Sequence, residues 1–419
     1  MTPIEWIMIA ILVVMFIVAT KWPMNIGIMG FVAAFFVGWF LLGMDDKEIL
    51  EEFPASIVLT ILGVTFFFSL AQKNGTIDII VKSAIGATRG HTWLIPWVFF
   101  LIASGLTSLG TFSPAAVALL APAAMGFCAA SGYSGVVMAA MVINGAHAGG
   151  FSPISVAGVL VRDIAEKNHF PIGAGQLFWA SYAVNLLLTI LTVLLMAALK
   201  RLHRKGSKSE DALAAYSHHG SVTWRQWLTL GLIVVMVVAA LVFRLPIGFV
   251  ALSCGLVLAF TMLEEHKSFV SGISWSTVML VSGMIVYVSL LTHAGVIKTL
   301  ADMAVGIGIP VVVALVLCYV IGVGSAFASS TALLTAFIPL AGPLLAQSDL
   351  SPTAVVAALA ISATIVDVSP FSTDGALMIA NAQGEDTKTI YRDLLIYAGG
   401  VVLVAPLLAW LLFVPTGLL

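Results

Sequence analysis

Predominantly apolar runs long enough to cross a bilayer, which takes about 20 residues and fewer where a helix is short or broken, occur at 4–20, 24–43, 54–72, 174–199, 225–243, 246–264, 273–291 and 393–413. Two further apolar regions, 92–165 and 306–383, are punctuated by Gly, Ser, Thr and Pro and do not resolve into clean spans. Each reads as a re-entrant helical hairpin followed by one discontinuous span. The first hairpin is expected to rise from Trp93 to about Leu109, turn at Gly110-Thr111-Phe112-Ser113 and return from Pro114 to about Ala129. The second is expected to turn at Ala328-Ser329-Ser330-Thr331. The discontinuous spans carry Gly149-Gly150-Phe151-Ser152-Pro153-Ile154-Ser155 and Val366-Asp367-Val368-Ser369-Pro370-Phe371-Ser372. Serine followed by proline suits an N-cap followed by the first residue of a helix, because the hydroxyl accepts from an orphan amide and proline lacks one. A helix is therefore expected to start in mid-membrane twice.

The same patterns recur at a fixed distance. An offset of 217 residues carries Ser152 onto Ser369, Ser113 onto Ser330, Gly105 onto Gly322 and Pro122 onto Pro339. Upstream, an offset of 220 carries Gly63, Ser69 and Gly75 onto Gly283, Ser289 and Gly295. The chain thus reads as a duplication with halves of about 1–200 and 222–419, joined by a charged, polar linker. Five crossings per half invert the second half. With the linker on the cytoplasmic side, thirteen Lys and Arg fall on that side against five opposite, in line with inversion and with both termini outside. The segments 76–89 and 296–309 are too short and too charged to cross; Ile77, Ile80, Val81 and Ala84 give the first an interfacial amphipathic face. It reads equally as a connecting arm between two bundles or as an ordinary loop helix.

Composition narrows the class. The chain is 61% hydrophobic and 9% charged, where a soluble globule has about 25% charged residues. Its net charge of −2 lacks the basic footprint of nucleic-acid binding. Cys128, Cys254 and Cys318 sit in separate apolar runs outside metal-ligand spacing and read as small buried hydrophobes. The N-terminus lacks a basic region and a small-residue cleavage site, so it reads as a retained first span. No nucleophile elbow, zinc-protease or phosphate-loop sequence occurs, which sets enzymes aside. Asn74-Gly75-Thr76 reads as a turn and Glu264-Glu265-His266-Lys267 as a loop cluster.

The chemistry concentrates where the helices break. Four helix starts, after Ser113-Pro114, Ser152-Pro153, Ser330-Thr331 and Ser369-Pro370, are expected to meet near the midplane, two from each side. Each offers free amides and a positive dipole end to an anion, and irregular backbone at this depth lines a cavity or is buried in protein. No Lys or Arg falls within 92–161 or 299–387, so a bound anion relies on amides, hydroxyls and a co-bound cation. Asp367 and Asp374 are the intramembrane carboxylates available to that cation. His147 reads either as a carboxylate contact or proton carrier, or as a packed histidine donating to a carbonyl. Thr107, Ser108 and Ser325 could equally bond their own helix backbones.

The run Ala71-Gln72-Lys73-Asn74-Gly75-Thr76, with Gly90, Pro96, Gly110, Pro122 and Gly145-Ala146-His147-Ala148-Gly149-Gly150-Phe151-Ser152-Pro153, resembles the N-terminal half of the bacterial malonate/dicarboxylate carriers. More broadly the chain resembles the ion transporter superfamily that includes the sodium-coupled divalent-anion symporters. In those symporters a Ser-Asn-Thr motif at each hairpin tip holds substrate carboxylate and sodium. Here Ser329-Ser330-Thr331 replaces the central Asn by Ser, and Thr111-Phe112-Ser113-Pro114 departs further, which puts a first sodium site in doubt. The resemblance implies an all-α polytopic homodimer in the bacterial inner membrane. Each protomer would hold a scaffold (1–90 and 223–305), a linker (200–222) and hairpin-bearing transport parts (91–199 and 306–419) that move as an elevator. It implies symport of a small dicarboxylate such as malonate or a C4 acid, with sodium as the coupling ion and no other cofactor. Proton coupling, exchange, or ion antiport on the same architecture are the rivals, and an intramembrane enzyme or passive channel the distant ones. On this reading the substrate contacts are Thr111, Ser113, Asn144, His147, Ser152, Ser155, Ser329, Ser330, Thr331, Ser369, Ser372 and Thr373, and the candidate sodium ligands are Ser108, Gly110, Gly149, Ser325, Asp367 and Asp374.

Overall fold

Residues 2–22, 24–51, 53–88, 91–200, 202, 222–263, 269–297, 299, 309–326, 329–382 and 387–419 are described by the computed structural model of the chain. Most of the linker, most of segment 296–309 and Ala328 at the second tip lie outside these residues. The protein is all-helical. The first half runs α1 (Pro3–Lys21), α2 (Ile26–Phe36, continued as a π-turn to Leu42), α3 (Asp46–Leu50), α4 (Ala55–Lys73), α5 (Thr76–Gly86), α6 (Ile95–Ser108), α7 (Ser113–Ser131), α8 (Gly135–Gly149), α9 (Val156–Lys167) and α10 (Ala174–Ala198). The second half runs α11 (Trp224–Leu241), α12 (Ile247–Phe260), α13 (Trp275–His293), α14 (Pro310–Ser325), α15 (Ser330–Phe337), α16 (Ala341–Ala346), α17 (Pro352–Thr364), α18 (Thr373–Ala380) and α19 (Thr387–Phe413). The expected spans are present within a few residues, except that α19 starts at 387 rather than 393 and so takes Lys388, Arg392 and Asp393 into its first turns.

Local chemistry sets the boundaries. Thr2 and Glu5 form a capping box on α1. Asn74 turns the chain between α4 and α5, its Oδ1 accepting from the Thr76 amide at 3.0 Å, while Gly75 takes φ +74°. This is the turn read from sequence. Helix α5 buries Thr76, Ile77, Val81 and Ile85. The α4–α5 corner is also tied to α11, because Asn74 Nδ2 donates to Thr229 Oγ1 at 2.7 Å and Gln226 Nε2 donates to the Asn74 carbonyl at 3.0 Å.

The halves are interleaved rather than juxtaposed. Helix α4 packs on α12 and α2 packs on α13, so the third long helix of each half lies against the second of the other. Both crossings run backbone to backbone: a Cβ on Gly63 would stand 2.2 Å from the Gly248 carbonyl oxygen, and one on Gly283 would stand 1.8 Å from that of Gly27. Close approach of this kind replaces the hydrophobic drive that lipid does not supply. The exchange recurs deeper, where α7 packs on α18 and α9 on α15.

Helices α8 and α17 occupy the centre. All of α8 and residues 353–364 of α17 are buried, which their all-round apolar sequences permit. Each then breaks, at 150–155 and 365–372. Here the structure corrects the N-caps expected at Ser152 and Ser369. The half-helices α9 and α18 start three residues later, capped by Ser155 and Ser372, which accept from the Gly158 and Gly375 amides at 3.0 and 3.4 Å. The Ser152 hydroxyl is engaged elsewhere, donating to the Ser108 carbonyl at 2.5 Å, and the intervening residues form successive turns. A Cβ on Gly158 or Gly375 would stand 2.1 or 2.0 Å from the Ser152 or Ser369 carbonyl, so the turns close only on glycine. Ser155→Ala and Ser372→Ala are each expected to lower stability by about 1 kcal/mol, read as the shift in unfolding midpoint of the purified protein in detergent.

The first hairpin turns where expected, at Gly110 with φ +114°. Its return helix α7 starts at Ser113, one residue before the expected Pro114, with Phe112 at the N-cap and no side-chain cap, so Ser113 is not a capping residue. Pro122 lies inside α7, whereas the second return arm α15 ends at Phe337, just before the matching Pro339, and resumes as α16.

Candidate functional site

The two tips and the two breaks meet around one buried cavity of about 30 Å³. Thr111–Pro114 line it from the first hairpin, His147, Gly150 and Ala157 from the first break, Ser330 and Thr331 from the second hairpin, and Thr364 and Asp367 from the second break. This volume holds about one water. Anything larger needs the lining residues to part.

His147, Asp367 and Asp374 form the charged centre, with one ligand atom of each within 4.8 Å of the others. His147 Nε2 lies 3.3 Å from Asp374 Oδ2 and 3.7 Å from Asp367 Oδ2. Neither ring nitrogen of His147 hydrogen-bonds, so the packed-histidine reading, with a donor to a carbonyl, does not hold. Asp374, 1% exposed, accepts from Ser113 Oγ at 2.5 Å, a contact that joins the first hairpin to the second break. Ser325 Oγ donates to the Ala363 carbonyl, on the neighbouring α17, and stands 3.3 Å from Asp367 Oδ1. Thr107, by contrast, bonds its own helix at the Ala103 carbonyl, 3.0 Å away.

The two carboxylates differ in their backbone surroundings. Asp374 sits in the first turn of α18, where the helix dipole favours a negative charge, while Asp367 follows the end of α17, where it does not. A protonated His147 balances one carboxylate only, and an uncompensated buried charge is costly. Among 92–161 and 299–387 no Lys or Arg offers the second positive charge. The cluster therefore calls for a further cation or a proton.

The other predicted site residues fall into separate places. Ser152, Ser155, Ser369 and Ser372 hold the turns of the breaks, and Thr373 begins α18. Ser329 precedes α15 at its N-cap. Ser108 offers its carbonyl to Ser152, while Gly149 packs so tightly on the Ser104 carbonyl that a Cβ would stand 2.1 Å from it, and Gly110 lies against Val64. Asn144 is turned from the cavity onto α10, donating to Thr189 Oγ1 at 3.1 Å. Thr189 belongs with Ser181 and Asn185 to a fully buried file on a helix that reads in sequence as an ordinary span. The spacing of four between these polar residues was the available signal.

Two crevices lie against repeat-related faces of α4 and α13. One, of about 90 Å³, lies between Thr65, Ser69 and Gln72 of α4 and Thr111, Phe112 and Ala115 of the first hairpin, so it reaches the cavity at Thr111 and Phe112. The other, of about 170 Å³, lies between Ile285, Ser289 and Thr292 of α13 and Thr335 and Pro339 beyond the second tip. The 220-residue offset carries Thr65, Ser69 and Gln72 onto Ile285, Ser289 and Thr292. A larger groove of about 610 Å³ between α10 and α19 touches none of the three charged residues and opens along exposed Leu195, Ile396 and Val404.

Comparison with known proteins accords with this geometry. No curated protein sequence matches the chain. The fold is similar to the crystal structure of the YdaH transporter of Alcanivorax borkumensis, with a TM-score of 0.63 and 15% identity over 87% of each chain. Residues 1–150 match the family model described as the N-terminus of the dicarboxylate carrier protein MatC, and residues 241–416 match that of the citrate transporter. The chain is a multi-pass membrane protein whose first and second halves each match a family of carboxylate carriers, not of enzymes.

Proposed function

We propose that the protein is a cation-coupled secondary transporter of a small dicarboxylate, malonate or a C4 acid, that binds its substrate where the two hairpin tips and two breaks converge. The observation that carries this reading is the cavity itself: helix starts and hydroxyls face it, and the only titratable side chains that line it are His147 and Asp367, with Asp374 behind His147 in the same cluster. Substrate carboxylates would take the amides and the Ser330 and Thr331 hydroxyls. The coupling cation, sodium in our reading, would take Asp367 and offset the negative charge of the cluster. Hard oxygen donors suit such an ion. His147 between two carboxylates favours a second reading, in which the coupling ion is a proton.

Alternating access would use the crevices beside α4 and α13 in turn, one on each side of the membrane. Helices α1–α5 and α11–α13 would form a fixed scaffold, and the hairpins and broken helices a transport part that moves against it. The backbone-tight crossings of α4 on α12 and α2 on α13 support a rigid scaffold. The family resemblance supports a homodimer in the inner membrane, and the distribution of Lys and Arg supports both termini outside.

Labelled malonate and succinate uptake into proteoliposomes, with and without sodium at fixed pH and then with an imposed proton gradient, tests the reading. Accumulation that follows the sodium gradient is expected. Accumulation that follows only the proton gradient selects the second reading, and failure to accumulate either acid under both gradients sinks the proposal. Ser330→Ala is expected to raise the KM for the substrate about tenfold, the loss of one hydrogen bond to a charged group.

A further inference from the structure

The groove of about 610 Å³ between α10 and α19 is graded along its length. Its volume is that of a small-ligand site, about 300–1,000 Å³. Leu188, Leu191 and Leu195 of α10 and Ile396, Val401 and Val404 of α19 give it an apolar body, and Thr192 Oγ1 meets the Tyr397 hydroxyl across it at 2.9 Å. Its charged lining residues stand at helix ends: Lys200 closes α10, and Asp393 lies in the first turns of α19. The crossings between those two ends are α11, α12, α13 and the broken span of α17 and α18, an even number, so both ends lie on the linker's side of the membrane. The lining runs along α10 from Leu188 to Lys200, about 18 Å of helix, and along α19 from Thr389 to Val404, about 22 Å. One leaflet of hydrocarbon is about 15 Å deep. The groove thus spans one leaflet, polar at the surface and apolar below.

The mouth carries an unmatched positive charge. Lys200 takes φ +55°, a left-handed turn that ends α10, and the Leu202 carbonyl then accepts from the Ser134 amide at 2.9 Å, on the groove wall. The basic run Lys200-Arg201-Leu202-His203-Arg204-Lys205 therefore begins at the mouth. Among the described residues Lys200 makes no ion pair. Asp393 is neutralised by its neighbour Arg392, whose Nη2 stands 2.8 Å from Asp393 Oδ1.

We propose that this groove binds one anionic diacyl phospholipid, with an acyl chain laid between α10 and α19 and the headgroup phosphate on Lys200. Exposed Leu195, Ile396 and Val404 leave the groove open sideways to the bilayer, which is how a chain enters. Lysine takes a phosphate as a point charge, and basic pockets between spans on the cytoplasmic side suit anionic headgroups. A zwitterionic lipid gains less, because its own ammonium group offsets the attraction. An apolar helix of a second copy laid there would cover Lys200 without a partner, at a cost. The lipid would join the last span of the first half to the last span of the second. The site is apart from the substrate cavity and its readout is lipid binding, so it stands or falls separately from carboxylate uptake.

The test offers phosphatidylglycerol or phosphatidylcholine, each with a photoreactive acyl chain, to the purified full-length protein in phosphatidylcholine vesicles, and maps the linked peptides by mass spectrometry. Phosphatidylglycerol is expected to label 188–200 and 389–404 several times more than phosphatidylcholine does. Gly400 lines the groove and an added Cβ there meets nothing within 4 Å, so Gly400→Leu fills the space and is expected to cut this label about tenfold. Gly399→Val, one residue off the lining, should leave it unchanged. Lys200→Gln, at an exposed position, is expected to cut the phosphatidylglycerol label about fivefold and spare that of phosphatidylcholine. Equal labelling of the wild-type protein by the two lipids, or full labelling of Lys200→Gln by phosphatidylglycerol, overturns the anionic assignment. A photoreactive amino acid in place of Ile396 that links to a second protomer or to the linker, and not to lipid, overturns the site itself.

Discussion

Asp374→Ala is expected to lower the initial rate of carboxylate uptake by about 100-fold or more, with the protein still eluting as a folded species from a sizing column. Two partners change at once, and a tie between the halves goes with them. Ser113 Oγ loses its acceptor at 2.5 Å, His147 loses the nearer of its two carboxylates, and the first hairpin loses its tie to the second break. The loss of a hydrogen bond to a charged group costs about 1.5–3 kcal/mol, and about 1.4 kcal/mol is tenfold in an equilibrium. The cost here falls on the closed arrangement of tip and break, the form in which substrate would be enclosed, so the rate suffers before the fold does. An uptake rate within about threefold of wild type would show that the tie is dispensable.

Gly283→Val is expected to act on folding instead. Its Cβ would stand 1.8 Å from the Gly27 carbonyl oxygen and 2.8 Å from Gly27 Cα, so the obstruction is backbone and cannot rotate away. Helices α2 and α13 would have to separate along their whole crossing. Overpacking of a flexible core costs about 1–3 kcal/mol; with a rigid obstacle on both sides the upper end of that range applies, and the yield of monodisperse protein should collapse. Gly399→Val on α19, where an added Cβ meets nothing within 4 Å, is the matched control and should leave the yield unchanged. Equal yields from the two variants would mean that the crossing is looser than its atoms imply.

The parts of this fold legible in sequence are those governed by local rules. Apolar runs located the long helices, the turn at Asn74-Gly75 followed from glycine and asparagine chemistry, and the 217-residue repeat linked the two tips and breaks before any coordinates. The half-helix starts were misplaced by three residues because a Ser-Pro pair has two uses. Ser152 could cap a helix, but its hydroxyl goes to Ser108, on the hairpin helix α6, a partner no window around Ser152 reveals. The charged cluster was legible only as a set of candidates. Ser113 and Asp374 are 261 residues apart, and their meeting depends on how α7 and α18 cross between the halves. Thr189 escaped notice for a different reason: a polar residue every fourth position in an apolar helix reads as ordinary self-bonding until a facing Asn144 is in place.

The exchange of partners between the halves also governs how the chain is made. Helix α4 leaves the ribosome long before α12, the helix its Gly63 face fits, and α2 waits as long for α13. Until then those small-residue faces have only lipid against them, and the first half carries two unfilled grooves of the shape the second half supplies. Contacts that join such distant segments are slow to form, and a nascent first half could satisfy its grooves by pairing with another copy of itself. The linker between the halves thus does more than connect. By keeping the second half tethered to the first, it raises the local concentration of the right partner over that of a neighbouring chain, so the order of biosynthesis and the interleaved architecture are two sides of one constraint.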